Sequence, residues 1–275
     1  MQTCQRLNVS PSERSGGGTP KRCGVPVFWR WNGKMHAMST KFVVCHSRKG
    51  GVGKTTLAYE LAWLLDAPLV DLEWEGGSAS RKWGYRHEDR ATSALLTALE
   101  KGTPPRLLHG FSKPDLLPGH PDLELNQPSP DDTADALLKW AGEWGRDWVV
   151  VDTHPGATDV VNGALSVAHV VVTPVPLRSS DLDGTEHMVR ELADYPVVLI
   201  PNFVPPVAPA AEVRRLGRIV DGTPVQVGPL IPAALAVGTR KRRMAITAED
   251  PPARPLRPVA EALHSVAEFV TKYVA

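Results

Sequence analysis

The chain has 275 residues, of which 42% are hydrophobic and 22% charged, and this composition is ordinary for a globular α/β protein. No apolar run approaches the roughly 18 residues that span a bilayer, and the N-terminus lacks a secretory signal, so we expect a cytoplasmic protein. The formal net charge of +1 means that any affinity for nucleic acid must come from local basic patches, and the three scattered cysteines argue against a disulfide framework or a zinc ribbon.

Residues 1–37 differ in composition from the remainder of the chain. They are rich in glycine, serine and proline and show no sustained hydrophobic period, so we expect a disordered extension. Met38 stands immediately before the first predicted strand and has the position of a natural start. We therefore divide the chain into an extension, 1–37, and one folded domain, 38–275.

A glycine-rich turn follows the first predicted strand, residues 42–45, and precedes a run of leucines and alanines at helical spacing. Strand, glycine turn and helix together form the usual context of a phosphate-binding loop. In such a loop Lys54 reaches the outer phosphates and the Thr55 hydroxyl is placed for Mg²⁺. The candidate nucleotide-binding residues are Gly50, Gly51, Val52, Gly53, Lys54, Thr55 and Thr56.

Two later predicted strands end in acids. The strand at 67–73 carries Asp71 and ends in Glu73, and the strand at 148–152 ends in Asp152. Because the carboxyl ends of parallel strands meet at one edge of a sheet, these acids are expected beside the phosphate-binding loop. Asp71 and Asp152 are the candidate metal ligands, with Asp152 holding Mg²⁺ through water.

The remaining chain continues to alternate helices with strands. Predicted helices cover 92–101, 130–144, a segment around 188, 209–220 and 255–270, and predicted strands cover 169–175, 197–202 and 225–230. The proline-rich stretch 103–130 is expected to be irregular, with short strands at 106–108 and 123–125. This alternation predicts a doubly wound, mostly parallel sheet flanked by helices.

Basic residues concentrate at two places late in the chain. The first cluster is Arg214, Arg215 and Arg218 on one predicted helix, and the second is the run Arg240, Lys241, Arg242 and Arg243. A local cluster of this kind contacts phosphates and makes DNA binding steeply salt-dependent. Both clusters are candidate contacts for duplex DNA, although charge runs are often only solvated surface.

The sequence Lys-Gly-Gly-Val-Gly-Lys-Thr-Thr at 49–56 resembles the deviant phosphate loop of the ParA/MinD family of ATPases. The general loop pattern has glycine where this chain has Arg48, and the family adds a lysine, here Lys49. The resemblance extends over about residues 39–272. It implies that Lys49 reaches the nucleotide of a partner subunit. The candidate catalytic residues under this resemblance are the two lysines of the loop and two acids at strand ends: Lys49, Lys54, Glu73 and Asp152.

The chain departs from the family pattern at three positions around the acids. Glu73 stands where the family commonly has the aspartate that positions the attacking water, Trp74 replaces a proline, and His154 occupies another proline position. His154 either tunes hydrolysis or is a partly exposed loop residue. Asn202 matches the asparagine that contacts the adenine edge in the family, but it is also compatible with a plain turn residue.

The resemblance implies an ATP- and Mg²⁺-dependent partition ATPase. Such a protein forms a homodimer on ATP, binds duplex DNA without sequence preference at the nucleoid, and is released by a ParB-type adaptor that stimulates hydrolysis. One alternative is a MinD-like or cargo-positioning ATPase on a membrane or protein scaffold. Another is a weakly hydrolysing nucleotide switch, and a metabolic ligase of the same superclass stays possible. The last helix is expected to pack on the core, so no membrane partner is expected.

Overall fold

The computed structural model describes residues 28–31, 34–37, 40–75, 78–86 and 92–275. Two short strands, β1 (Phe28–Trp31) and β2 (Lys34–Ala37), pair as an antiparallel hairpin within the segment predicted to be an extension. The other residues of 1–37 and Met38 lie outside the described residues. The expectation of a disordered extension concerns that part of the chain.

A seven-stranded sheet forms the centre of the molecule, and every pair of neighbouring strands in it is parallel. Its strands are β3 (Lys41–Cys45), β4 (Leu69–Leu72), β5 (Leu116–Leu117), β6 (Trp148–Thr153), β7 (Val170–Pro176), β8 (Val197–Asn202) and β9 (Gln226–Val227). Their spatial order is β5-β4-β6-β3-β7-β8-β9. The chain therefore builds one half of the sheet up to β6 and the other half from β7 onward, with β3 at the point of reversal. Ligands of open α/β sheets bind outside the carboxyl ends of the strands at such a point.

Helices cover both faces of the sheet, as the alternation in the sequence predicts. They are α1 (Lys54–Leu64), α2 (Ala79–Trp83), α3 (Ala94–Lys101), α4 (Pro130–Trp144), α5 (Asp159–Ser166), α6 (Ser179–Glu191), α7 (Ala210–Val220), α8 (Leu235–Thr239) and α9 (Arg257–Val274). Alternate residues of β3 enter different cores: Phe42 and Val44 pack on one face, Val43 and Cys45 on the other. A strand buried on both faces needs a continuous apolar run, which is what this sequence supplies.

The last helix packs on the core. Val259, Leu263, Val266 and Val270 of α9 are buried in the same core as Leu57 of α1. The prediction that its apolar stripe serves core packing is confirmed.

The proline-rich stretch differs in detail from its prediction. The predicted strand at 106–108 contributes only a single antiparallel bridge from Leu108 to Leu116, and the strand itself is β5. The predicted strand at 123–125 is wrong, because Pro121–Leu123 form a 3₁₀ turn that begins after His120, whose side chain accepts a hydrogen bond from the Asp122 backbone. Proline lacks the amide hydrogen that a strand ladder needs, so the chain turns here.

Candidate nucleotide-binding site

The glycine turn between β3 and α1 has the geometry of a phosphate-binding loop. Gly51 and Gly53 have φ angles of 77° and 96°, in the region that glycine adopts without strain. At Gly53 a side chain is also excluded by space, since a Cβ there would lie 2.3 Å from Asn202 Nδ2. No side chain caps the start of α1. Its first backbone N–H groups are therefore available to an anion.

Lys54 is buried at the start of α1 and bonded to the end of β6. Its Nζ donates to Asp152 Oδ1 at 2.7 Å and to the Thr153 carbonyl. Burial by itself would lower the pKa of Lys54, but the charges of Asp152, Glu73 and Asp71 outweigh burial and raise the pKa. The ammonium is therefore charged inside the site, as a phosphate ligand requires.

Asp71 and Asp152 are fully buried and directly opposite each other in the register of β4 and β6. Burial, and then the charge of Asp152, raises the pKa of Asp71 to about 7. Asp152 Oδ2 is buried and has no hydrogen-bond partner among the described residues. An unpartnered buried carboxylate oxygen is costly, and a cation or its bound water would satisfy it. The residues present thus fit the Mg²⁺ that the sequence pattern implies.

Asp71 also has a structural role that the sequence does not indicate. Its Oδ2 accepts from the backbone and the hydroxyl of Ser80, at 2.7 and 2.5 Å, and its Oδ1 accepts from the Glu73 backbone at 3.1 Å. Asp71 thereby fixes the start of α2 against the end of β4. Among the described residues, no three His, Cys, Asp or Glu side chains form a metal-binding group.

Lys49 lies on the outer side of the loop and contacts α6 of its own chain. Its Nζ donates to Asp181 Oδ1 at 2.7 Å and to Ser180 Oγ at 3.1 Å, while 48% of its side chain stays exposed. Arg48 beside it is paired with Glu191 of the same helix. The structure thus separates the two lysines of the loop, with Lys54 inside the site and Lys49 at its surface.

Asn202 holds the loop in place in this structure. Its Nδ2 donates to the Val52 carbonyl at 2.7 Å, and its side chain is buried at the end of β8. This contact spans 150 residues of sequence and explains why a side chain at Gly53 has no room. The contact places Asn202 beside the phosphate-binding loop, while its predicted adenine contact stays a prediction.

The three positions that depart from the family pattern lie in one cluster. Glu73 Oε1 accepts from His154 Nδ1 at 2.6 Å, and the ring of Trp74 stacks on the imidazole with centroids 3.8 Å apart and an angle of 11° between the planes. Glu73 and His154 are 12% and 15% exposed. Sequence reasoning treats each of these residues separately, because nothing in the sequence pairs positions 81 residues apart.

Two further residues complete the wall of the site and carry no sequence signal. His46 Nδ1 lies 3.0 Å from Thr153 Oγ1, which itself donates to the Cys45 carbonyl at 3.1 Å. Burial and the nearby charges of Lys54 and Arg48 lower the pKa of His46 to about 4, so the imidazole is neutral near pH 7. The bonds of Thr153 join the ends of β3 and β6 directly beneath the loop.

The two basic clusters are only partly exposed. Arg240, predicted to contact DNA, is 8% exposed and donates to the Met244 carbonyl at 2.5 Å and to Glu249 at 2.7 Å, so it holds the loop 240–249 together. Lys241, Arg242 and Arg243 are exposed. In the first cluster, Arg215 pairs with Asp183 and Glu186 of α6, and Arg214 and Arg218 are exposed.

None of the helices in the described part of the chain combines the length and the hydrophobicity that a transmembrane span requires.

The loop geometry, the buried Lys54 and the strand-end carboxylates define a P-loop nucleotide-binding protein of the doubly wound α/β class. No family model matches the chain. The chromosome-partitioning ATPase Soj of Thermus thermophilus is 33% identical over 163 residues, which cover 57% of this chain and 63% of Soj. The chromosome partitioning protein ParA of Myxococcus xanthus is 30% identical over 166 residues, which cover 54% of this chain and 57% of ParA.

A solved structure has the same fold as this chain. The MinD cell division protein of Aquifex aeolicus superposes with a TM-score of 0.65 over 85% of this chain and 97% of MinD, at 21% identity. The chain thus has the fold of MinD and is similar in sequence, over part of its length, to two chromosome-partitioning proteins. Its matches span about three fifths of the length of the two curated relatives.

Proposed function

We propose that this chain is a partition ATPase that dimerises on ATP, binds duplex DNA without sequence preference in that state, and releases it on hydrolysis stimulated by a ParB-type partner. One observation carries the proposal: a formed phosphate-binding loop supplies two lysines with different surroundings, Lys54 buried against Asp152 and Lys49 exposed at the loop surface. A buried lysine serves the nucleotide of its own subunit, and an exposed one is available to a partner subunit. In this proposal the ATPase domain is residues 38–275.

The loop residues 50–56 bind ATP in this proposal. The free N–H groups at the start of α1 and the Lys54 ammonium contact the phosphates. The Thr55 hydroxyl and Asp152 Oδ2 hold Mg²⁺, with Asp71 nearby. The metal supplies charge neutralisation at the terminal phosphates. Solved proteins with this fold contain ATP, ADP or an ATP analogue, in two of them with magnesium, which supports these cofactors.

Lys49 has to leave its present contact to serve a partner subunit. The Lys49 side chain is 48% exposed although that of Asp181 is only 7% exposed, so water still reaches the ammonium and weakens the pair. The negative charge of a partner's nucleotide therefore competes readily for the ammonium. This is consistent with a homodimer that forms only when ATP is present.

The DNA contact is assigned to Lys241, Arg242 and Arg243, with Arg214 and Arg218 as a second exposed set. Each phosphate neutralised by a lysine or arginine adds about −0.9 to the slope of log affinity against log salt. Arg240 and Arg215 are left out of the contact set, because their side chains are only 8% and 29% exposed and are bonded to carboxylates of the chain. Arg242 also reaches Glu249, at 3.2 Å, but its side chain is 72% exposed.

The test is retention of a random duplex DNA by the full chain with ATP, with ADP, and with the Lys54→Gln variant, at low and moderate salt. We expect retention only with ATP and intact Lys54, falling steeply as salt rises. The double variant Arg242→Ala with Arg243→Ala is expected to abolish retention while ATP binding stays intact. The matched pair Arg214→Ala with Arg218→Ala tests the second set.

The outcomes separate the function classes. Retention that does not depend on nucleotide contradicts a nucleotide-gated switch. ATP binding without any DNA retention contradicts the partition role and favours the scaffold or membrane alternative, for which co-sedimentation with vesicles of anionic lipid and ATP is the next measurement. A nucleotide switch with little turnover is indicated if phosphate release stays at background even with DNA and the ParB-type partner present.

A further inference from the structure

The cluster formed by Glu73, Trp74 and His154 lies where the nucleotide phosphates are proposed to bind. Leu72 and Thr153 are directly paired in the register of β4 and β6, so the residues that follow them leave the sheet side by side. The charge of Glu73 acts on the Lys54 ammonium. The cluster therefore borders the phosphate-binding loop on the side of the strand ends.

The carboxylate of Glu73 has one occupied oxygen and one available oxygen. Oε1 accepts from His154 Nδ1 at 2.6 Å and from the backbone N–H groups of Trp74 and Glu75, both at 3.2 Å. Among the described residues, no donor is bonded to Oε2. Three hydrogen bonds on one oxygen fix the rotation of the carboxylate and so determine where Oε2 points.

The imidazole is fixed in turn by packing. A carboxylate oxygen only accepts, so Nδ1 carries the hydrogen in the 2.6 Å contact, and the stacked Trp74 ring restricts the plane of the imidazole. On the other side, the Glu73 carbonyl lies against Gly119, where a Cβ would come within 2.4 Å of it. Backbone and side chain of Glu73 are thus both immobilised.

We propose that His154 is a positioning residue for ATP hydrolysis, which holds Glu73 so that its Oε2 orients the attacking water. This inference rests on the proposed function for the hydrolysis step itself. Glu73 replaces a shorter aspartate, and the bond from His154, braced by Trp74, compensates for the added flexibility of the longer side chain. The three departures from the family pattern act as one unit.

The step is an ordinary hydrolysis. The oxygen of the water bonds to the terminal phosphorus while the bond from that phosphorus to the bridging oxygen breaks, and ADP leaves with the electron pair. One hydrogen of the water stays on the new phosphate, and the other leaves through Glu73 Oε2 to solvent. A misplaced water costs about 100-fold in rate, which sets the scale of the expected effect.

Two substitutions separate the hydrogen bond from the ring packing. His154→Phe keeps a ring against Trp74 but removes the donor, whereas His154→Asn loses the stack but keeps an N–H near the position of Nδ1. ATP turnover with random duplex DNA, and ATP affinity, are measured for the full-length wild type and both variants. We expect His154→Phe to lower kcat by about 10- to 100-fold with ATP affinity within about twofold of the wild type. His154→Asn is expected to stay within about fivefold of wild-type kcat.

The matched control is another histidine–carboxylate pair with the same short contact. His109 Nδ1 lies 2.6 Å from Asp115 Oδ1 on the surface, away from the loop. His109→Phe is expected to leave turnover unchanged. Glu73→Gln should lower kcat like His154→Phe, and the double variant should be no slower than Glu73→Gln alone, because both changes remove the same water-orienting group.

Three results would overturn the inference. They are unchanged kcat in His154→Phe, an ATP affinity that falls as much as kcat does, and additive losses in the double variant. A wild type that binds ATP and retains DNA but shows no turnover above background, even with a ParB-type partner present, also overturns it, while the proposed nucleotide-gated DNA binding survives. Conversely, if DNA is not retained but His154→Phe still lowers kcat, only the partition role is contradicted.

Discussion

The phosphate-binding loop and the basic segment 240–243 use positive charge in opposite ways. In the loop, the lysine that the sequence pattern indicates is buried and bonded to Asp152 at 2.7 Å, where a phosphate ligand is expected. In the segment, both Arg240 and Arg242 contact Glu249, at 2.7 and 3.2 Å, but the Arg240 side chain is 8% exposed and that of Arg242 is 72% exposed. Adjacent charges in a run therefore differ in role according to partners that lie elsewhere in the chain.

The helix α1 connects these two regions. It begins at the phosphate-binding loop, and its Tyr59 hydroxyl donates to the Arg243 carbonyl at 2.7 Å. The next residue, Glu60, is fully buried and accepts from the backbone of Ile246 and Thr247 at 2.8 and 3.1 Å. The basic segment and the residues that follow it are thus hydrogen-bonded to the same helix whose N-terminus forms part of the proposed phosphate site.

Gly53→Ala offers the strongest test of the loop side of the comparison. At φ 96° an alanine is strained, and its Cβ would meet Asn202 Nδ2 at 2.3 Å, so the bond that holds the loop must break. Left-handed strain alone costs about 1–2 kcal/mol, and with the clash we expect ATP affinity to fall at least about 100-fold. Isothermal titration with Mg²⁺-ATP measures this effect.

The control for the loop variant is Gly217→Ala on α7. A Cβ added at Gly217 would meet no atom within 4 Å beyond its own stretch of helix, so alanine there should leave ATP affinity unchanged and stabilise the helix slightly. Wild-type affinity in Gly53→Ala, with the fold confirmed by circular dichroism, would show that the loop does not need its present geometry to bind nucleotide.

A comparison of Arg240→Ala with Lys241→Ala tests whether burial separates the roles of the charges in the basic segment 240–243. Removing Arg240 deletes its bonds to the Met244 carbonyl and to the largely buried Glu249, so we expect the free energy of unfolding to fall by about 2.5 kcal/mol. Lys241 is exposed, and its removal should change stability by less than about 0.5 kcal/mol. Urea unfolding measures both. Equal effects would mean that burial does not separate the two side chains.

Local patterns explain why the loop was predictable from the sequence. The strand, the glycine turn and the helix are consecutive in the chain, so Lys54 and the loop glycines are positioned by neighbours in sequence. The buried strands that carry Asp71 and Asp152 are indicated by continuous apolar runs. Their meeting beside the loop follows from the parallel order of the sheet.

Contacts between distant residues explain what the sequence could not provide. The Glu73–His154 bond spans 81 residues and the bond from Asn202 to Val52 spans 150. The role of Arg240 depends on how the loop folds back to Glu249. None of these pairs has a spacing or a period that marks it, because each depends on how separate strands and loops are brought together by the sheet.

His46 gives the smallest expected effect and tests whether burial governs charge on the loop side as well. Its pKa is lowered to about 4 in the folded protein, mainly by burial and then by Lys54 and Arg48, against 6.5 for an ordinary histidine. The unfolded chain therefore takes up a proton as the pH falls below about 6.5, while the folded protein does not. This contribution to stability is fully present above that pH and is lost as the pH falls toward 4, by about 1.3 kcal/mol between about pH 7.5 and 5.5.

The variant His46→Asn isolates that contribution, since asparagine keeps an N–H donor toward Thr153 but does not titrate. Urea unfolding of both proteins at about pH 7.5 and 5.5 should show a fall in stability that is smaller in the variant by about 1.3 kcal/mol. An identical fall in both proteins would mean that His46 is protonated within the folded structure. The residues around the phosphate-binding loop would then tolerate an unpaired buried charge. Burial would no longer explain why charge behaves differently there and in the exposed basic segment.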